Sequence, residues 1–376
     1  MEQPNWKVRY VYLTEQFKNP ERFLLKIQEI AKRGDFTLGQ EARDFELEYA
    51  KKFGIKHAIG VGNGTDALFL SFRALGIKEG DEVITAPNSF IATAGAIATA
   101  GARPVFADVR DDYTIDPEAV EKAITSKTRA IVPVHLFGNP ADMYPILDIA
   151  KRHNLFVIED AAQSSSVMYD NKYVGSFGDA AGFSFHPQKI VNIWGDGGMI
   201  TTNNDALAEK LRLWRNHGLK NRDEVIFFAH NSRLDTIQAA IASIVLSEVE
   251  GNTEKRAQNA ALYDQLLSDL EPKVHIPKRD LCKVPVKPIY TLYVIQTEQQ
   301  KELIKFLKNQ GIEALVHYPI PIHLQEAAKY LGYKKGDFPV CEKQAETMVT
   351  LPIHQYLKPK DIHYVCEAIH QFCIQN

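Results

Sequence analysis

The sequence predicts an α/β protein: a mainly parallel sheet with helices on both faces, followed by a smaller α+β unit. Three observations carry this. From about residue 57 to 217, short apolar runs alternate with helical stretches, the pattern that builds parallel sheets. Most of those runs are rich in Val, Ile and Ala and lack polar alternation, as strands covered on both faces do. Near Arg233 the pattern changes to longer helices with a few strands between them.

The strand candidates are residues 57–61, 82–86, 104–108, 129–136, 155–159, 180–185 and 199–202. Two intervening helices open with a capping residue and a proline in the first turn: Asp116-Pro117-Glu118 and Asn139-Pro140-Ala141. From Leu234 one helix should run to about Val249, and another should follow Gly251. Strands around 284–295, a helix over 302–310 and a terminal helix from Pro359 complete the expectation. The division is residues 1–250 as a large unit and 251–376 as a small one, with the N-terminal segment a candidate to pack with the latter.

Composition narrows the function classes. The 376 residues are 45% hydrophobic and 24% charged, with a net charge of −3, and no Lys/Arg run stands clear of interspersed acids, so no nucleic-acid partner is expected. The start, Met1-Glu2-Gln3-Pro4-Asn5, has no basic segment leading into an apolar run, and no apolar stretch is long enough to span a bilayer. Cys282, Cys341, Cys366 and Cys373 form no Cys-x-x-Cys pair, which reads as reduced, packed thiols with no metal. The expectation is a cytoplasmic protein without a membrane anchor.

Open parallel sheets bind ligands at the carboxyl ends of their strands, and four chain positions of interest follow strands or helices there. Gly60-Val61-Gly62-Asn63-Gly64-Thr65 makes a strand-to-helix turn. Its glycines allow close backbone approach, and the helix N-terminus offers N–H groups to a phosphate; a dinucleotide turn or a plain tight turn fits the same letters. Glu159 and Asp160 arrive together at the end of an apolar strand. Carboxylates are costly to bury unpaired, though an acid bonded to a helix end is the ordinary alternative. Phe183-Ser184-Phe185-His186-Pro187-Gln188-Lys189 leads into Gly195-Asp196-Gly197-Gly198. There Lys189 is either a surface residue or a functional amine, and His186 alone reads as a loop histidine. Trp214-Arg215-Asn216-His217-Gly218 reads as a helix C-cap. Asp160, Lys189 and the Gly64-Thr65 turn together meet the demands of pyridoxal 5'-phosphate (PLP): an amine to form an imine, an acid to keep the pyridine nitrogen protonated, and donors for the phosphate.

With those motifs in place, the chain resembles the DegT/DnrJ/EryC1/StrS sugar aminotransferases, of PLP fold type I, from about Thr37 to the C-terminus. The resemblance rests on Asn63-Gly64-Thr65-Asp66-Ala67-Leu68, Pro133-Val134-His135-Leu136-Phe137-Gly138, Glu159-Asp160-Ala161-Ala162-Gln163, Phe183-Ser184-Phe185 with Lys189, Gly195-Asp196-Gly197-Gly198, Arg215-Asn216-His217-Gly218 and Asn231-Ser232-Arg233-Leu234-Asp235. It implies a mixed, mainly parallel seven-stranded sheet. It also implies that Lys189 binds PLP, Asp160 pairs with the pyridinium, Gln163 bonds the ring hydroxyl and Phe90 stacks on the ring. Gly64, Thr65 and Ser184 would hold the phosphate, and Asn231 would reach over from the partner of a homodimer with shared active sites.

The tail turns, residues 317–323 and 351–354, resemble members acting at sugar C3, which makes His317, Tyr318 and His323 substrate-contact candidates. The implied reaction moves an amino group from glutamate, leaving 2-oxoglutarate and pyridoxamine phosphate (PMP), onto a nucleotide-linked (dTDP-type) 3-keto-6-deoxyhexose. A 4-keto or non-nucleotide keto sugar is the alternative acceptor. One departure stands out: after Lys189 the chain reads Ile190-Val191-Asn192-Ile193-Trp194 where many relatives have an Asn-Leu-Gly type of sequence. Three other classes compete. Related dehydratases carry His in place of the lysine, a nicotinamide dehydrogenase leaves Lys189 unused, and a non-catalytic regulatory protein leaves Lys189, Asp160 and Gln163 unexplained.

Overall fold

The computed structural model describes residues 5–279 and 281–375, so the reading of residues 1–4 as free of a leader lies outside the described residues. The seven predicted strands form one sheet: β1 (His57–Val61), β2 (Glu82–Thr85), β3 (Arg103–Phe106), β4 (Thr128–Val132), β5 (Phe156–Asp160), β6 (Ala180–Ser184) and β7 (Gly198–Thr202). Their order is β1-β7-β6-β5-β4-β2-β3. β2 pairs in parallel with β3 and β4, β4 with β5, and β5 with β6, while β7 lies antiparallel between β1 and β6. The strands are almost wholly buried, including the entire run of β7, which explains their continuous apolar letters.

Helices cover the sheet on both faces. The β1–β2 crossover carries α1 (Gly64–Ala74), and the β2–β3 crossover carries α2 (Ile91–Thr99). Asn63 caps α1 by accepting from Asp66 N. Asp116 likewise caps the helix Pro117–Lys122 through Glu118 N, as its sequence signalled. Residues 234–246 pack Leu234, Ala239, Ile241, Ala242 and Val245 into the main core together with Phe45 and Tyr49.

Three expectations shift. The strand foreseen over 129–136 stops at Val132, because Pro133 has no N–H to continue the ladder. The chain still follows β5 for a few residues: Asp160 N donates to Pro133 O at 2.9 Å and His135 N to Asp160 O at 3.0 Å. The helix foreseen at Asn139-Pro140-Ala141 begins only at Met143, with Asp142 as its cap residue. The intervening residues are held extended, since Ala141 N donates to His135 Nδ1 and Tyr169 Oη to Asp142. The helix foreseen from Leu234 begins at Thr236, after Asp235, and ends at Leu246, where Ser247 Oγ turns back onto Ile244 O; the next runs from Val249 through Gly251 to Leu267.

A second apolar cluster gathers Ala260, Tyr263, Leu303, Leu307, Ile362, Val365, Ile369 and Phe372 around the antiparallel pair Tyr293–Gln296 and Met348–Leu351. Val8, from the chain start, is buried in it and bridges to Ile312. Arg256 is buried in this region, donating to Gln355 Oε1 at 3.0 Å and Ile353 O at 2.9 Å, with its guanidinium over the Tyr12 ring. The four cysteines are free. Among the described residues no helix is long and apolar enough to cross a membrane.

Candidate active site

The carboxyl ends of β1, β2, β5 and β6 open onto one cavity of about 300 Å³. The β1 end supplies Asn63, Gly64 and Thr65. Glycine at 64 is dictated by close approach, since a Cβ there would lie 2.8 Å from Ser184 Cβ. Gly198, at the start of β7, has the same origin: a Cβ would lie 2.5 Å from the Asn63 carbonyl carbon. The first turn of α1 can therefore sit against the ends of β6 and β7. Its shape is held by Asp66, whose carboxylate accepts from Asn63 Nδ2 at 3.0 Å and Ser232 Oγ at 2.6 Å. The leading N–H groups of such a helix lack intrahelical partners, and here the residues that open it, Gly64 and Thr65, line the cavity.

At the β5 end, Asp160 is buried. Its Oδ2 accepts from Thr93 Oγ1 at 2.7 Å and its Oδ1 from Ala162 N at 3.1 Å. Burial pushes its carboxyl above the usual range, against the pull of the Thr93 hydroxyl, the Ala162 amide and the Lys189 charge. Lys189, half-buried in the same cavity, has the opposite displacement: burial lowers its amine to about 8, opposed by Asp160. Lys189 N donates to His186 O at 2.8 Å, and Tyr12 Oη donates to Lys189 O at 3.3 Å.

The departure after Lys189 has a structural account. Ile190, Val191 and Ile193 are buried. Asn192 exchanges two hydrogen bonds with Gln16, at 2.7 and 2.9 Å, and donates to Pro187 O at 2.6 Å. Trp194 packs edge-on to Phe17. The lysine loop is thus braced by the chain start rather than open to substrate along its whole length.

Gln163 accepts from Phe137 N at 2.7 Å, which commits its oxygen and leaves its amide nitrogen for the cavity side, 3.4 Å from Tyr318 Oη. Phe90, the cap residue of α2, is 53% exposed at the cavity and lies 5.5 Å from the Tyr318 ring. His317 stacks on Tyr10 at 5.5 Å, its Nδ1 3.1 Å from Thr350 Oγ1. Burial and the Lys189 charge hold His317 down to about 4, and burial raises Tyr318 to about 12. Both are therefore uncharged across the neutral range.

Of the residues singled out from sequence, Gly64, Thr65, Phe90, Asp160, Gln163, Ser184, Lys189, His317 and Tyr318 all line this cavity. Two do not. His323 is buried elsewhere, its Nε2 3.0 Å from Glu342 Oε1 and its ring against Phe338, so packing occupies it. Asn231 lies exposed on the surface, bridged to Asn216. The neighbouring Arg215 is structural, binding Gly60 O at 2.8 Å and pairing with Glu46. Sequence reasoning missed Tyr10, Ser89 and Thr93, which also line the cavity. Ser89 and Thr93 flank Phe90 at the opening turn of α2, and that proximity was the available signal.

The family model for the DegT/DnrJ/EryC1/StrS aminotransferase family matches residues 18–370. Similar relatives include a "Pleiotropic regulatory protein" of Geobacillus stearothermophilus, 43% identical over 96% of this chain and 97% of the relative. Another is the "dTDP-3-amino-3,6-dideoxy-alpha-D-galactopyranose transaminase" of Aneurinibacillus thermoaerophilus, 42% identical over 93% of this chain and 96% of that one. Among solved structures, S. venezuelae DesV "in complex with ketimine intermediate" superposes with a TM-score of 0.94 at 36% identity, covering 99% of both chains. Matched along nearly its whole length in sequence and in fold, with an amine and a buried carboxylate facing one cavity, the chain belongs to the DegT/DnrJ/EryC1/StrS aminotransferase family.

Proposed function

We propose that this protein is a PLP-dependent aminotransferase that moves the amino group of glutamate onto C3 of a nucleotide-linked 3-keto-6-deoxyhexose. The observation that carries the reading is the pairing of Lys189 and Asp160 in one cavity, an amine lowered by burial opposite a buried carboxylate with only two donors. A buried carboxylate with so few partners is matched by a cationic ring nitrogen. The acceptor class is supported by the Aneurinibacillus relative and by relatives named as transaminases of other dTDP-3-amino sugars.

When bound, PLP supplies an aldehyde that takes up amines and a ring that stores an electron pair. In this reading Gly64, Thr65 and Ser184 bind the phosphate, with the N-terminus of α1 favouring the anion. Asp160 would hold a proton on the ring nitrogen, Gln163 would offer its amide N–H to the ring hydroxyl, and Phe90 would cover one ring face. Lys189 would take the α-proton of glutamate in the first half-reaction and deliver one to the sugar carbon in the second. Its amine, lowered to about 8, is neutral often enough near neutral pH to serve as that base. His317 and Tyr318, both neutral, contact the sugar, whereas His323 is left to packing.

The assembly in this reading is a homodimer in the cytoplasm, with Asn231 serving the partner's phosphate. Its support is the surface around Asn231: Phe228 is 98% exposed, with Val225 and Ile226 half exposed on the same segment, an apolar patch that suits a partner. Mixing Asn231→Ala with Lys189→Ala subunits under exchange should restore some activity, because one site of each hybrid carries neither lesion; zero activity after demonstrated exchange contradicts shared sites. The apolar cluster around Tyr263 and Ile369, separate from the sheet core, supports a division of the chain near residue 250, with the chain start joining the second unit.

The acceptor is tested in reverse. A nucleotide-linked 3-amino-3,6-dideoxyhexose added to the PLP form should convert the visible band to that of PMP, and the 4-amino isomer should not. Conversion by the 4-amino sugar alone overturns the C3 assignment. Conversion by neither, together with no turnover of glutamate, favours a non-catalytic role, the reading that the Geobacillus relative's name invites.

A further inference from the structure

Asp160 is reached by a buried chain of two hydroxyls that the transfer reaction itself does not use. Thr93 Oγ1 lies 2.7 Å from Asp160 Oδ2, and Ser89 Oγ lies 2.7 Å from Thr93 Oγ1. Thr93 is fully buried, and Ser89 and Asp160 nearly so. Each hydroxyl has one hydrogen to give. With Asp160 ionised, Thr93 must donate to the carboxylate, so its own oxygen is left to accept from Ser89. The direction of the relay is thereby tied to the charge of Asp160. Two hydroxyls aligned this way polarise one another in a site shielded from water.

The other titratable groups that act on Asp160 sit on other elements. Lys189 comes from the loop after β6, His135 from the segment after β4, and the Tyr318 hydroxyl from the small sheet's side. None of these touches Oδ2, where the hydrogen bond in hand comes from Thr93. The same short segment, Ser89 to Thr93, also carries Phe90 into the cavity. One turn of chain thus supplies both the ring-covering side chain and the support of the carboxylate.

We propose that Thr93, backed by Ser89, is a positioning residue for Asp160: the relay aims the carboxylate and keeps it ionised, and so sets how firmly a ring nitrogen in the cavity keeps its proton. This rests on the reading of the cavity as a PLP site. Losing the Thr93 hydroxyl would raise the proton affinity of Asp160, so a ring nitrogen held there would keep its proton less firmly, and the visible band of the PLP-loaded protein would titrate at higher pH.

The test compares Thr93→Val, which keeps the shape and removes the hydroxyl, with Thr93→Ser, Ser89→Ala and Asp160→Asn, each loaded with PLP. The readouts are the pH midpoint of the visible band, PLP affinity by absorbance titration, and the glutamate half-reaction. Thr93→Val should raise the midpoint by about one unit and slow the half-reaction about tenfold or more, the scale of a hydrogen bond to a charged group. Thr93→Ser should stay near the parent, and Ser89→Ala should shift the same way by less. A parental midpoint and rate in Thr93→Val, with both altered in Asp160→Asn, overturns the relay and leaves the PLP reading intact. Parental behaviour in Asp160→Asn instead overturns the PLP reading. If Thr93→Val fails to fold, Ser89→Ala decides: an unchanged midpoint there contradicts the relay.

Discussion

Glu159 and Asp160 are neighbours on one strand and are both buried, yet the two sides of the sheet treat them in opposite ways. Successive strand residues point to opposite faces. On one side, Glu159 receives Gly175 N at 2.7 Å, Phe177 N at 2.9 Å, Gly178 N at 2.8 Å and His135 Nε2 at 3.0 Å. On the other side, Asp160 receives one hydroxyl and one amide and faces a cavity. A carboxylate saturated by fixed donors ties loops together. A carboxylate with open capacity beside a cavity is equipped to hold a cation that arrives later. Burial alone does not separate structure from function here; the count and origin of the donors do.

The largest effect should come from Lys189→Ala, which removes the amine opposite Asp160. Turnover should fall by at least about a thousandfold, while PLP or PMP still binds through the remaining contacts; product formation and cofactor content check this. Next, Asp160→Asn and Glu159→Gln should fail differently. Asp160→Asn should lower turnover about a hundredfold with a thermal midpoint close to the parent. Glu159→Gln should cost about 3 kcal/mol of stability, because its amide would face donors with a donor, with little change in rate per folded molecule. Thermal melts paired with initial rates decide between them, and a stable, slow Glu159→Gln would erase the distinction between the two sides.

A smaller effect concerns pH. The Lys189 amine at about 8 lies below its ordinary 10.5, so between those values the unfolded chain binds more protons than the folded one. Stability of the cofactor-free protein should therefore gain a contribution that rises with pH across that window, and Lys189→Met should remove it. Urea denaturation at a series of pH values tests the slope. The smallest effect should be at His323: His323→Gln should lower stability through the Glu342 contact and leave the KM for sugar nearly unchanged, unlike Tyr318→Phe.

Much of this was legible in the letters, for physical reasons that differ by element. The strands were visible because both faces are buried and their residues are continuously apolar. The cap at Asp116 was visible because a cap needs a specific side chain next to the helix start. Lys189 and Asp160 were legible as a pair because strand ends are where such sheets place ligands. The late helix start at Met143 was hidden, since it depends on His135, Tyr169 and Arg110 reaching the 139–142 segment from elsewhere. His323 misled because a histidine beside prolines looks the same whether it faces a cavity or Glu342. Thr93 and Tyr10 left little trace, because their roles arise from contacts with residues 67 and about 300 positions away.

The proposed cofactor attachment rests on one amine, that of Lys189. Borohydride reduction of the PLP-loaded protein, followed by digestion and peptide mass analysis, tests it directly. A single added pyridoxyl phosphate mass is expected on the peptide containing Lys189 and should be absent from Lys189→Ala. Stoichiometric label on any other lysine, with Lys189 unmodified, would contradict it.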